Sequence, residues 1–180
     1  MWFKRFWPLL LLASLVLLLA LGLGREQKSL SSALVGKPMP SFDLPSLKNQ
    51  SQRFDASLFQ GQVSVLNVWA SWCEACQYEH KIFVEKPLPE GVVLIGLNYK
   101  DQTGPALRWL RDLGDPYRLS LRDVNGRLGL DLGVYGVPET YVINKEGIIT
   151  YRHVGAFDEQ SWQRELLPAM RHALEQSQSN

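Results

Sequence analysis

Cysteine and histidine are scarce: 180 residues contain two of the first and three of the second. A single cysteine pair excludes a multi-disulfide secreted scaffold and a four-cysteine zinc or iron–sulfur site within one chain. His80, His153 and His172 show no His-x3-His spacing, so no metal site is expected, and nothing else in the sequence asks for a cofactor. Runs of one charge are missing too. Of 19 basic residues, Lys4 and Arg5 precede the first acid, Glu26, which leaves 17 against 18 acids over residues 25–180, a net of −1. A near-neutral body without Lys/Arg clusters excludes a nucleic-acid footprint and a polybasic membrane-binding face. Low-complexity tracts and internal repeats are absent. With 46% hydrophobic and 21% charged residues, the chain has the composition of one folded domain.

The one feature in excess is apolar length near the start. Phe6 to Leu23 is 18 residues with Ser14 as the single polar one. As a helix it measures about 27 Å, close to a hydrocarbon core of about 30 Å. This predicts a single-pass transmembrane anchor over residues 1–24. The competing reading is a cleaved secretory signal, whose apolar region is shorter, about 7–15 residues, and ends in a small-x-small site; Gly22 and Gly24 meet the size requirement. Both readings export the body. Lys4 and Arg5 before the run, against Arg25 and Lys28 interleaved with Glu26 after it, place the N-terminus in the cytoplasm. Trp2, Phe3, Phe6 and Trp7 suit an interfacial aromatic belt. The body then faces an oxidising compartment, where an unprotected thiol pair tends to become a disulfide.

Residues 25–36 are polar and read as a linker, with the folded domain over residues 37–180. Val63–Trp69 is β-branched and almost uninterrupted, as a strand buried on both faces should be, and a helix over Cys73–Lys86 follows directly. Gly91–Asn98 reads as a second buried strand, and Gly104–Leu113 places Ala106, Leu107, Leu110 and Leu113 at helical spacing. Thr140–Asn144 and Ile148–His153 flank the turn Lys145-Glu146-Gly147 and should pair antiparallel. A last helix begins near Asp158, with Trp162, Leu166, Met170 and Leu174 on one stripe and Pro168 expected to bend or weaken it. A parallel strand–helix–strand half, an antiparallel hairpin and a closing helix give a mixed sheet between helices, an α/β fold of thioredoxin-like order.

Cys73-Glu74-Ala75-Cys76 falls where the first buried strand ends and its helix begins. At positions i and i+3 of a first helical turn the Cα atoms are close enough for a disulfide without backbone movement. Unbonded N–H groups and the positive end of the helix dipole favour a thiolate at Cys73, which is the expected nucleophile, while Cys76, a turn deeper, would resolve the mixed disulfide. A static staple is the alternative, but so small a loop restrains the unfolded chain little. Residue 77 is Gln rather than His, so the pair is not a c-type haem attachment site.

The run Leu66-Asn67-Val68-Trp69-Ala70-Ser71-Trp72-Cys73-Glu74-Ala75-Cys76, then Gly96-Leu97-Asn98-Tyr99-Lys100-Asp101, then Gly133-Val134-Tyr135-Gly136-Val137-Pro138-Glu139-Thr140 together resemble the DsbE/CcmG family. These are membrane-anchored thiol:disulfide interchange proteins of bacterial cytochrome c maturation, and the match runs over roughly residues 37–170. Trp-Cys-x-x-Cys alone indicates only the thioredoxin superfamily; the tyrosine-containing third segment is more specific. The resemblance implies a thioredoxin-like fold with a central insertion and a single-pass anchor in the bacterial inner membrane, with the domain in the periplasm. It further implies reduction of disulfides in apocytochrome c, or in the thiol protein of the haem-ligation machinery, with electrons from a membrane thiol carrier.

The same resemblance puts Pro138 where the superfamily has a cis-proline beside the cysteines, which would leave the Val137 backbone free to pair with an extended substrate. Trp72, Val137, Glu139 and Thr140 are the substrate-binding candidates, with Trp72 beside the sulfurs and Glu139 near the same surface. Glu79, three residues after Cys76, shares its helix face. It can take the resolving thiol's proton or act as a plain solvated residue; Asn67, at the strand position where thioredoxins have a buried aspartate, cannot serve as that base. Glu74 and Ala75 replace the family's usual Pro and Thr. Glu74 favours the helix but opposes a Cys73 thiolate, so the Cys73 pKa should be less depressed than in a strong oxidant. Trp69 reads as core, His80 as a solvated helix residue, and Asp123-Val124-Asn125-Gly126 as a turn without the later ligands of a calcium loop. An oxidase or isomerase of the same fold, a thioredoxin-like adaptor and a copper carrier are the competing functions.

Overall fold

The computed structural model describes residues 6–7, 11–17 and 34–176. The chain divides into two units, Met1–Leu30 and Ser31–Asn180. In the first, residues 6–7 and 11–17 are helical, and Phe6, Trp7, Leu11, Leu12, Leu15, Val16 and Leu17 are exposed. Among the described residues no helix is long and apolar enough to cross a membrane. Most of the anchor expected over residues 1–24, and the linker up to residue 33, lie outside the described residues.

The second unit is built on a five-stranded sheet. A short hairpin, β1 (Asp43–Pro45) and β2 (Arg53–Asp55), and a 3-10 turn (Ala56–Phe59) lead to β3 (Val63–Trp69) and α1 (Glu74–Glu85). Then come β4 (Val92–Tyr99), α2 (Thr103–Leu113), β5 (Leu119–Asp123), α3 (Arg127–Asp131), β6 (Glu139–Ile143) and β7 (Ile149–Val154). The closing helix α4 runs through Glu159–Ser161, Trp162–Leu166 and Leu167–Gln176. The sheet order is β5-β4-β3-β6-β7. β3, β4 and β5 are parallel, and β6 and β7 are antiparallel to their neighbours. The thioredoxin-like mixed sheet between helices is therefore present. β5 and α3, inserted between α2 and β6, carry no strong periodicity and were not legible element by element.

All seven residues of β3 are buried, because the strand is central and covered on both faces. Val63, Val65 and Trp69 face a core shared with Phe83 of α1, Leu110 of α2, and Trp162 and Met170 of α4. Leu66 and Val68 face the other core, with Phe59, Leu128 and Tyr141. The folded unit starts slightly before Lys37, since the Gly36 N–H already donates to the Ile149 carbonyl at 2.8 Å. In α4, Asp158 and Ser161 form the N-terminal capping box. Pro168 has no N–H and crowds the carbonyl four residues back, and the turn before it is widened into a π-helix in which the Leu167 N–H donates to Trp162 O. The expected disturbance at Pro168 thus takes the form of a wide turn.

Candidate active site

The chain leaves β3 at Trp69 and turns once before α1. Cys73 is the extended N-cap residue of α1 rather than its first helical residue, and the Cys76 N–H donates to its sulfur at 3.1 Å. That amide bond also favours a thiolate at Cys73 when the pair is reduced. Cys73 and Cys76 are joined as a disulfide with Cα atoms 5.3 Å apart. Cys73 is the more exposed of the two, 7% against 2%. Its Sγ lies 3.5 Å from the Val137 carbonyl oxygen, and the Val137–Pro138 peptide is cis.

Asp101 braces the turn that carries the cysteines. Its carboxylate accepts from the Ser71 N–H at 2.6 Å and hydroxyl at 2.9 Å, from Asn98 Nδ2 at 2.9 Å and from the Gln102 N–H at 2.7 Å. Trp72 Nε1 donates to the Lys100 carbonyl at 3.1 Å, an oxygen oriented by the left-handed backbone of Lys100 at φ +47°. The end of β4 therefore holds the Ser71-Trp72-Cys73 turn, leaving the Trp72 ring exposed at the rim.

Beneath the disulfide lies a polar network in an otherwise apolar layer. Glu79, one turn beyond Cys76 on α1, is buried; it accepts from Asn67 Nδ2 and, at 3.1 Å, from the Phe157 N–H. Asn67 Nδ2 also donates to Thr140 Oγ1 at 3.0 Å, and its oxygen accepts from the Tyr117 hydroxyl at 2.7 Å. Burial pushes the Glu79 carboxyl up to about 8, against the opposing effect of its two hydrogen bonds. Burial, with Glu79 nearby, likewise holds the Tyr117 hydroxyl well above the usual tyrosine range. A buried carboxyl that holds its proton near neutrality, behind a cysteine pair at a helix start, is suited to thiol–disulfide exchange with a proton relay.

Comparison with known proteins supports the exchange chemistry of the pair. The Redoxin family model matches residues 34–167. The thiol:disulfide interchange protein DsbE of Yersinia pestis is 48% identical over 161 residues, covering 89% of this chain and 85% of that protein. The chain belongs to the DsbE family. The DsbE of Vibrio cholerae is 50% identical over 145 residues, covering 81% of this chain and 78% of its own. Among solved structures, a DsbE-type protein from Chlorobium tepidum superposes with a TM-score of 0.61 at 24% identity, covering 76% of this chain and 97% of its own. A Bacteroides thetaiotaomicron protein described as a protein disulfide isomerase gives 0.66 at 21%, covering 78% and 90%. These two show the fold. The family and the cysteine pair make this DsbE-family protein a thiol–disulfide oxidoreductase.

The other sequence candidates divide by depth. Trp72 is exposed, Val137 half-buried, and Pro138 buried next to the cysteines. Glu139 and Thr140, expected near the surface, lie below it. Glu139 is fully buried: its carboxylate accepts from the Tyr135 N–H at 2.9 Å and the Tyr141 hydroxyl at 2.7 Å, and pairs with Arg152 at 2.8 Å. Thr140 is buried too, and its hydroxyl accepts from Asn67 Nδ2. The solvated reading of His80 is also overturned, because the ring packs 4.1 Å from Trp109 and Nε2 lies 2.9 Å from the Gly114 carbonyl oxygen. Burial pushes the His80 pKa down. Sequence reasoning misses the roles of Asp101 and Arg152: Asp101 closes the run from Gly96 but reaches Ser71, 30 residues away, and Arg152, on a strand, reaches Glu139 and Gly133, 13 and 19 residues away.

Proposed function

We propose that this DsbE-family protein runs thiol:disulfide interchange in the reducing direction, on apocytochrome c or on the thiol protein of the haem-ligation machinery, before haem attachment. The observation that carries the reading is the arrangement of the pair: Cys73, the more accessible sulfur, next to exposed Trp72 and the Val137 carbonyl, Cys76 more deeply buried, and buried Glu79 one turn further on. In the reduced protein the Cys73 thiolate attacks a client disulfide, one client sulfur leaves as a thiolate, and a mixed disulfide forms. Cys76 then loses its proton, with Glu79 as the acceptor in the fraction of molecules in which its carboxyl is ionised, and attacks Cys73 Sγ. The second client sulfur departs and takes a proton from water. Two electrons have moved to the client, and the protein is left with the Cys73–Cys76 disulfide. A carboxyl titrating at about 8 is matched to a thiol of about 8.5, so the proton moves between them with little driving force either way. A membrane thiol carrier returns the electrons.

The 18-residue apolar run of Phe6–Leu23 and the bacterial relatives support a single-pass anchor in the inner membrane with the domain in the periplasm. Glu74, exposed in the first turn of α1, disfavours a Cys73 thiolate and so favours a reducing pair. Equilibration in glutathione or dithiothreitol buffers should give a potential nearer roughly −270 mV than roughly −120 mV. A value at the oxidising end overturns the reading in favour of disulfide formation. Cys76→Ala should then trap the client as a mixed disulfide and Cys73→Ser should not; client binding that survives Cys73→Ser unchanged would make the protein an adaptor.

A further inference from the structure

The geometry points to Arg152 as a positioning residue for polypeptide clients, acting through the loop of residues 133–138. Arg152 stands on β7 with its side chain 8% exposed, against the fully buried Glu139. Its Nε and Nη2 reach Glu139 Oε2 at 2.9 and 2.8 Å, and Nη2 also donates to the Gly133 carbonyl at 2.7 Å. The other carboxylate oxygen of Glu139 accepts the Tyr135 N–H at 2.9 Å. One buried ion pair therefore grips the loop at its start, at its middle and where it enters β6. The loop brings the Val137 carbonyl to 3.5 Å from the Cys73 sulfur, and two residues earlier it exposes the Tyr135 ring, 86% accessible with the guanidinium 5.3 Å from its centre.

Both charged side chains bond to the loop backbone, and their effect on exchange passes through the loop. A buried ion pair contributes little net stability compared with apolar packing, whereas its directional bonds hold one loop conformation. A small disulfide needs only an open path to Cys73. A polypeptide disulfide must also lie along the loop, so its reaction depends on where Val137 and Tyr135 are held. The inference rests on the exchange chemistry and not on the direction of electron flow, which the reduction potential tests separately.

The test compares the reduced full chain with its Arg152→Lys and Arg152→Met variants on two substrates, glutathione disulfide and a short oxidised Cys-x-x-Cys peptide. Lysine keeps the charge but not the bidentate grip on Glu139 and Gly133, and it carries the test if Arg152→Met does not fold. The KM for the peptide is expected to rise about tenfold or more beyond any change seen with glutathione disulfide. Equal losses on both substrates, or an Arg152→Lys variant indistinguishable from the parent on the peptide, overturn the proposal.

Discussion

Glu79 has almost no water around it, and its two hydrogen bonds do not offset the cost of charging it there. Its pKa is raised to about 8 from an ordinary 4.5, so between those values the folded state holds a proton that the unfolded state has lost. Stability contributed by this group is therefore fully present below the unfolded value and is lost as pH rises through the folded one, a swing on the order of a few kcal/mol. In the oxidised protein the cysteines do not titrate, but His80, whose pKa is lowered by burial, gives the opposite slope below its ordinary 6.5. The urea midpoint should therefore fall between about pH 6.5 and about 8, and Glu79→Gln should flatten that slope. A slope unchanged by the substitution would place the titration elsewhere. With both cysteines present, resolution of the transient mixed disulfide should also slow about 10²-fold in Glu79→Gln, measured by quenched-flow alkylation, if the carboxylate takes the Cys76 proton.

At the scale of elements, α3 shows how the insertion is tied to the active-site turn. Gly129 packs this five-residue helix onto β4 so closely that a Cβ there would lie 2.3 Å from Tyr99 Cε2. Tyr99 adjoins Lys100, whose carbonyl holds Trp72. Gly129→Ala is expected to cost about 1–3 kcal/mol in denaturant unfolding, as the tyrosine ring is displaced, and to shift the emission of the exposed Trp72. Normal stability would mean that the ring moves aside freely. Strand β6 shows the limit of local pattern. Glu139-Thr140-Tyr141-Val142-Ile143 is buried along its whole length although it opens with an acid and a hydroxyl. It is central, between β3 and β7, and each polar group meets a partner from elsewhere: Arg152 for Glu139 and Asn67 for Thr140. Reading these two as surface residues from their letters alone ignores those partners.

For the whole molecule, the division near residue 30 separates an apolar N-terminal segment from the exchange domain. With the anchor proposed above, the full chain is expected to sediment with membranes and a chain starting at Ser31 to lose that sedimentation while keeping its exchange rate with glutathione disulfide. Retained sedimentation would place membrane attachment in the domain itself. By itself the sequence determined what short-range physics controls: the buried strand Val63–Trp69, the helix start that brings Cys73 to Cys76, the hairpin around Lys145-Glu146-Gly147, and the chemistry of one thiol pair. It contained Glu79, His80, Asp101, Glu139 and Arg152 without revealing their states. Only the tertiary structure decided that Glu79 holds a proton near neutrality, that His80 lies among aromatic rings, and that Glu139 is buried against Arg152 and the Tyr135 amide. The proton affinity and reach of a polar side chain depend on the water removed from it and on the partner supplied. For Glu79 that partner is the Phe157 amide, 78 residues along the chain, a pairing that no local pattern encodes.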